Sequence, residues 1–214
     1  MATRPVFVSH TADNPCLEIT TEFQWFPGFS LAQKQRSITS LHESFTAAHP
    51  GHTLLEISSK SPNPLGVKLS AFNLTLTHNN HTMSVEAAFQ GSKVFASAGP
   101  FTEIYELSAR EAKRFPQLKE SGALTHFNFF GSHFPLTPTT FFYDYLYITA
   151  LHSHPDLAEK VQSFTAFTDI EFNPAKQLNC QARSAATYVA LCTHKLVDDA
   201  LSSPEAFKEI VYRR

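Results

Sequence analysis

The segment Ser84-Val85-Glu86-Ala87-Ala88-Phe89-Gln90-Gly91-Ser92-Lys93-Val94-Phe95 sets an acid, an amide and an amine at short intervals: Glu86, Gln90 and Lys93. Read as one helix at about 100° per residue, Glu86 and Lys93 leave from a single line after nearly two turns, with Gln90 beside it. An acid–amine pair suits proton transfer, stabilisation of a developing cation or attack on a carbonyl carbon. Val85, Ala88, Phe89, Ser92, Phe95 and Ala96 form an adjoining, mostly apolar stripe that faces a core. A helix wall beside a cleft has this pattern. So does a solvated helix that borders its core with charge, and Gln90 equally suits a bond to a neighbouring backbone group.

Further chemistry-bearing residues lie downstream. Asp169 and Glu171 alternate along a strand-like stretch, so one of the two is expected to face a cleft. Arg110 and Lys113 follow Ser108, at the start of a helix whose free N–H groups suit an anion. Asn179 and Arg183 are expected on the next helix, along a pocket. Phe72, Phe89 and Tyr143 supply flat faces for stacking on a base, although Phe142 and Tyr143 also read as core. Phosphate-loop, dinucleotide, nucleophile-elbow and paired-cysteine or paired-histidine zinc signatures are absent. The pairs His78/His81 and His152/His154 are too loose to imply a metal, and no metal or organic cofactor is expected.

The elements that would position these groups are mostly helical. Thr20–Phe26 reads as a strand stopped by Pro27-Gly28, and residues 30–48 as a helix with Leu31, Ile38, Leu41 and Phe45 near one face. Leu54–Ile57 is a short strand and Ser61–Gly66 a loop. Leu69–Leu76 alternates apolar and polar residues, and His78–His81 turns the chain. Ser108 and Glu111 make a capping box, Leu124–Phe130 a strand, and Phe141–Ile148 a helix buried on every side. Asn173-Pro174 and Ser203-Pro204 carry helix-start signals, and the Ala-rich run from Gln181 to Cys192 reads as helix. The expected architecture is one α+β domain, mainly helical with several short strands. Residues 1–67 would form a mixed segment packed on a core spanning 68–214.

Composition bounds the function classes. The 214 residues include 43% apolar and 17% charged residues, enough for a core without staples. Net charge is −2, which argues against a general nucleic-acid coat but leaves room for a local basic groove. Only 7 glycines are present, few for phosphate-cradling loops. Cys16, Cys180 and Cys192 are odd in number and far apart, as expected for free thiols in a reducing compartment. No signal peptide and no membrane-length apolar run is evident, so a cytoplasmic protein is expected.

Four segments, in order, resemble the NADAR family. Leu69-Ser70-Ala71-Phe72 is similar to its LSNF-type segment, with Ala71 where Asn is usual. Glu86–Phe95 is similar to its E-H-x-F-Q-x-x-K-F helix, with Ala87 in the His position. Ser108–Lys113 falls where the family has an A-R-x-x-(x)-K segment, and Thr168–Asn173 where it carries another essential acid. Glu22–Phe29 and Phe167–Pro174 resemble one branch, the antitoxins paired with DarT-type DNA ADP-ribosyltransferase toxins. The resemblance implies hydrolysis of the N-glycosidic bond between ADP-ribose and guanine in DNA, with ADP-ribose as product and the toxin as functional partner. It implies Glu86, Lys93 and Asp169 as catalytic groups. Phe72, Phe89, Gln90, Arg110, Lys113, Glu171 and Asn179 would bind substrate. Another branch of the family cleaves ribosylamine intermediates of the riboflavin pathway, and a non-catalytic reader of ADP-ribose or binder of the toxin remains a third reading.

Overall fold

The computed structural model describes residues 1–213. In chain order these form β1 (Ala2–Ser9), β2 (Cys16–Phe23), α1 (Leu31–Ala48), β3 (Leu54–Glu56), α2 (Pro64–Lys68), β4 (Thr75–His78) and β5 (His81–Ser84). Next come α3 (Val85–Gly91), β6 (Lys93–Phe95), a 3-10 turn (Thr102–Glu106), α4 (Ala109–Lys113), α5 (Gln117–Glu120), β7 (Leu124–Phe129) and β8 (Ser132–Phe134). The chain closes with α6 (Phe141–His152), α7 (Pro155–Val161), β9 (Ala166–Thr168), α8 (Gln181–Thr193), α9 (Val197–Leu201) and α10 (Pro204–Tyr212). The expected single α+β domain is what forms. None of these helices is long and apolar enough to cross a membrane.

One sheet ties the two ends of the chain together. Its order is β2-β1-β9-β3: β1 runs antiparallel to both β2 and β9, and β3 runs parallel to β9. Residues 1–67 therefore share their sheet with a strand from the last third of the sequence. Alternation along β1 sends Val6 and Val8 to one face, where they pack with Ile38, Leu41 and Phe45 of α1. Phe7 points to the other face and joins the larger core around α3, α6 and α8. In α6, Phe141, Phe142, Tyr143, Leu146, Tyr147, Ile148 and Leu151 are all buried, as its aromatic sequence predicts. Asp144 within it is fully buried and pairs with Arg183, and it also accepts from Ser184, Thr140 and Tyr212. The pair is thus hydrogen-bonded on several sides, as a buried charge requires.

Several elements depart from the sequence reading. β1 fills a stretch that carries no strong signal; its pairing along the whole of β2 supplies what propensity does not. Ser61–Gly66 is not all loop. Asn63 caps the Leu65 N–H and Pro64 takes the first helical position, so α2 starts there. Leu69 and Ala71 belong to turns after α2, and the strand begins only at Thr75. Asn173-Pro174 starts no helix: the Asn173 side chain accepts from Ala175 N, closing a local turn, and helix resumes at Gln181. The hairpin at Asn79-Asn80 has both residues at positive φ, a conformation asparagine tolerates. The Ser108 capping box forms as expected, and a second one, Ser30 with Gln33, starts α1.

The largest difference lies in the acid–amine segment. The helix is only α3, capped by Ser84, and it stops at Gly91. A Cβ on Gly91 would come within 2.5 Å of the Tyr105 ring, so the 3-10 turn packs directly on this backbone. The Gly91 carbonyl accepts from Phe101 N and the Ser92 carbonyl from Asn128 N. With those carbonyls committed to other segments, the chain leaves the helix and Lys93 becomes the first residue of β6, paired with Phe127. Glu86 and Lys93 do not share a helical line.

Candidate active site

A hollow of about 420 Å³ opens where four segments meet: the turn after α2, the inner wall of α3, the turn after β9 and the approach to α8. α3 contributes Glu86, Phe89 and Gln90, all buried. Gln90 Nε2 donates to Glu86 Oε1 at 2.9 Å, the one-turn spacing that a short helix holds rigidly. Glu86 is 7% exposed, and that remaining surface faces the hollow. Phe89 stands edge-on to Tyr143 of α6, with centroids 5.2 Å apart, and both rings line the cavity. Burial pushes the Tyr143 phenol well above its ordinary range, and the Glu86 charge adds to this.

Asp169 enters from the opposite side. It follows β9 directly and accepts from Glu171 N and from Gln181 Nε2, both at 3.0 Å. Burial, reinforced by the neighbouring Glu56 carboxyl, pushes its carboxyl up to about 8. Near neutral pH such a group holds a proton that it can give away. Glu171 also lines the hollow, so both acids face it where alternation along a strand allows one. The reason is that β9 ends at Thr168, and the turn beyond it frees Glu171 from the strand period. At the rim Glu171 pairs with Lys34 of α1 at 2.9 Å, and the Lys34 ammonium lies 5.1 Å from the Trp25 ring centroid.

Phe72, Lys113 and Asn179 complete the expected set that reaches the cavity. The Lys113 ammonium sits 5.3 Å from the Phe72 ring centroid, so the two make one cationic, aromatic lip. Asn179 lies ahead of α8, not on it. Arg110 does not line the hollow; it leaves the other side of α4, in a shallow depression with Leu107, Arg114 and Phe115. Arg183 is likewise absent from the lining, because its guanidinium is engaged with Asp144. Lys93 is not among the lining residues. Its ammonium is 4.9 Å from the Phe89 ring centroid. Burial lowers its pKa most, with Lys113 adding to that and Glu86 opposing it. It thus shares an electrostatic neighbourhood with Glu86 despite the lost helical register.

Two residues central to this arrangement escape the sequence reading. Gln181 accepts from Ala71 N at 2.7 Å and donates to Ile57 O at 2.7 Å and to Asp169, thereby clamping three separate segments. Nothing in the sequence marks it beyond a position at the start of a helix. Glu56 is 1% exposed and holds the Asp169 turn from beneath, accepting from Thr168 Oγ1 at 2.5 Å and Ile170 N at 2.8 Å. Its signal was available: an acid in the apolar run Leu54-Leu55-Glu56-Ile57. Among the described residues no cluster of three or more metal-ligating acids, histidines or cysteines occurs. A second hollow, about 800 Å³ and lined by Cys16, Pro138, Arg183 and Tyr212, has its arginine already neutralised by Asp144.

A search of curated proteins found no match to the chain. A family model described as the DarT1-associated NADAR antitoxin matches residues 2–214. That match takes in every wall of the hollow, from the segment after β3 to the start of α8, and with it the chain belongs to the family of DarT1-associated NADAR antitoxins.

Proposed function

We propose that this antitoxin is an ADP-ribosylglycohydrolase: it hydrolyses the N-glycosidic bond joining ADP-ribose to guanine in DNA and so reverses the modification made by its DarT-type toxin. The observation that carries this reading is the pairing of two unlike carboxyl groups in one hollow. Glu86 is held by Gln90, and Asp169 is pushed up to about 8 by burial and by Glu56. A carboxyl that keeps its proton near neutral pH, set in one hollow with a second carboxyl, supplies the acid of an acid–base pair.

The chemistry follows from those roles. Cleavage at the anomeric carbon leaves positive charge on the ribose ring, as in other glycoside hydrolyses. Glu86 stabilises that charge and takes a proton from the attacking water, whose oxygen bonds to the anomeric carbon. Asp169 gives its proton to the departing guanine nitrogen, and the proton on Glu86 returns to Asp169 through solvent. Phe89 and Tyr143 form the aromatic wall, and Lys113 above Phe72 meets the diphosphate at the mouth. Arg110, on the far side of α4, is left outside this scheme. Lys93, outside the lining, acts on Glu86 through its charge.

The test is release of ADP-ribose from a guanine-ADP-ribosylated oligonucleotide, followed by mass spectrometry. Glu86→Gln should lower the rate by about 10²–10⁴. No release by the folded wild-type protein, or an unchanged rate in Glu86→Gln, refutes the assignment. A substrate panel including ribosylamines separates the metabolite-cleaving alternative. Full protection of toxin-expressing cells by Glu86→Gln would point to sequestration of the toxin instead.

A further inference from the structure

Glu56 does not line the hollow, yet two of the hydrogen bonds around it hold the turn that does. Its two oxygens accept from Thr168 Oγ1 and from Ile170 N, the residues on either side of Asp169. The Ser58 hydroxyl also bonds it. Thr168 Oγ1 in turn contacts His42 Nε2 of α1 at 2.8 Å. Burial drives His42 down to about 4, so its ring is neutral and Nε2–H can donate to the threonine. A directed chain results, from His42 to Thr168 to Glu56. We propose that Glu56 is the positioning residue of this site: its carboxylate anchors the Thr168–Ile170 turn and makes Asp169 the proton donor. The inference rests on the glycohydrolase reading for its catalytic consequence, but the placement of the proton does not.

Two adjacent buried acids, Glu56 and Asp169, compete for the proton. Burial pushes the Glu56 carboxyl up as well, but three donors oppose it, the Ile170 amide and the Thr168 and Ser58 hydroxyls, all of which favour its anion. Asp169 is also bonded, by the Glu171 amide and Gln181, but it meets the charges of Glu56 and Glu171. From the other elements it faces Tyr143 and Tyr147 of α6 and the Cys180 thiol, each held neutral by burial. Burial raises Asp169 most, and the like charge of Glu56 beneath it adds to that, so Asp169 is the acid that keeps the proton.

The experiment follows the Asp169 carboxyl by ¹³C NMR titration and, in parallel, the pH dependence of ADP-ribose release. In the wild type both should turn over near pH 8, with activity falling above that point as the proton is lost. Glu56→Gln keeps the acceptor for Ile170 N and removes the charge. Its Asp169 titration and the alkaline limb should both move down by about one pH unit or more, while KM stays unchanged. If Glu56→Gln fails to fold, Thr168→Val removes one donor from Glu56 and should shift the Asp169 titration in the same direction, with Thr168→Ser restoring it. An unmoved Asp169 titration overturns the proposal. Wild-type protein that lacks hydrolase activity sinks the functional reading, while the titration still decides the positioning role.

Discussion

Replacing Gln181 by leucine should be among the most destabilising single changes near the hollow that leave the apolar core intact. The side chain is 8% exposed and satisfies two buried backbone groups that have no other partner nearby, Ala71 N and Ile57 O. Leucine fills a similar volume but leaves both unpaired. An orphaned buried polar group costs about 1–3 kcal/mol, so the pair sums to roughly 2–6 kcal/mol, with about 3 kcal/mol as the central expectation. For a chain of this size that lowers Tm by about 6–12 °C. Gln181→Glu should be comparably harmful for a different reason. It keeps an acceptor for Ala71 N but turns an oxygen toward Ile57 O and Asp169, so its penalty should shrink in acid. Urea unfolding of both variants, at unchanged m, measures the loss. A cost below about 1 kcal/mol for Gln181→Leu would show that those backbone groups are satisfied some other way and that the clamp is not what closes the hollow.

Further outcomes follow from the same coordinates. The Lys93 amine, lowered by burial, should be labelled by acylating reagent at lower pH than exposed lysines such as Lys208; labelling only at ordinary lysine pH would refute its half-buried setting. His42 is depressed to about 4 when folded and titrates near 6.5 when unfolded. Its contribution is therefore complete above about pH 6.5 and lost as pH falls through about 4, to a limit of about 3 kcal/mol. The difference in stability between wild type and His42→Gln should change over that window and be flat above it. Gly91→Ala should be costly, because the added carbon meets the Tyr105 ring within 2.5 Å; a Tm within about 2 °C of wild type would contradict so close an approach.

Local rules account for much of the fold. The Ser30 and Ser108 boxes, the buried helix at Phe141 and the turn at His78–His81 stand where local pattern puts them, because each is decided within a few residues. The misread segments have two origins, distant partners and competing local bonds. β1 is a strand because β2 and β9 flank it, and Asn173-Pro174 stays a turn because Asn173 bonds locally while Gln177 reaches back to its amide. Chemistry was legible by residue type: Glu86, Phe89 and Gln90 reach one hollow together with Asp169, Glu171, Phe72, Lys113 and Asn179. Direction was less so. Arg110 and Lys113 sit on one short helix, yet only Lys113 turns inward, since Ala109 and Ala112 define the buried side.

Lys93 shows why register and proximity need separate arguments. Two charges seven positions apart meet on a helix only if the helix survives the interval, and here Gly91 ends it. The pair nevertheless stays within electrostatic reach, because Lys93 follows the end of α3 closely and its ammonium lies 4.9 Å from the Phe89 ring centroid. The outcome differs chemically from the helical one. A lysine on the same helical line would compete with substrate for the Glu86 carboxylate, whereas Lys93, outside the lining, leaves the hollow open. Lys93→Met should then depress turnover of ADP-ribosylated oligonucleotide and leave KM for it nearly unchanged. A rise in KM with unchanged kcat would place the ammonium in the cavity and contradict the strand position.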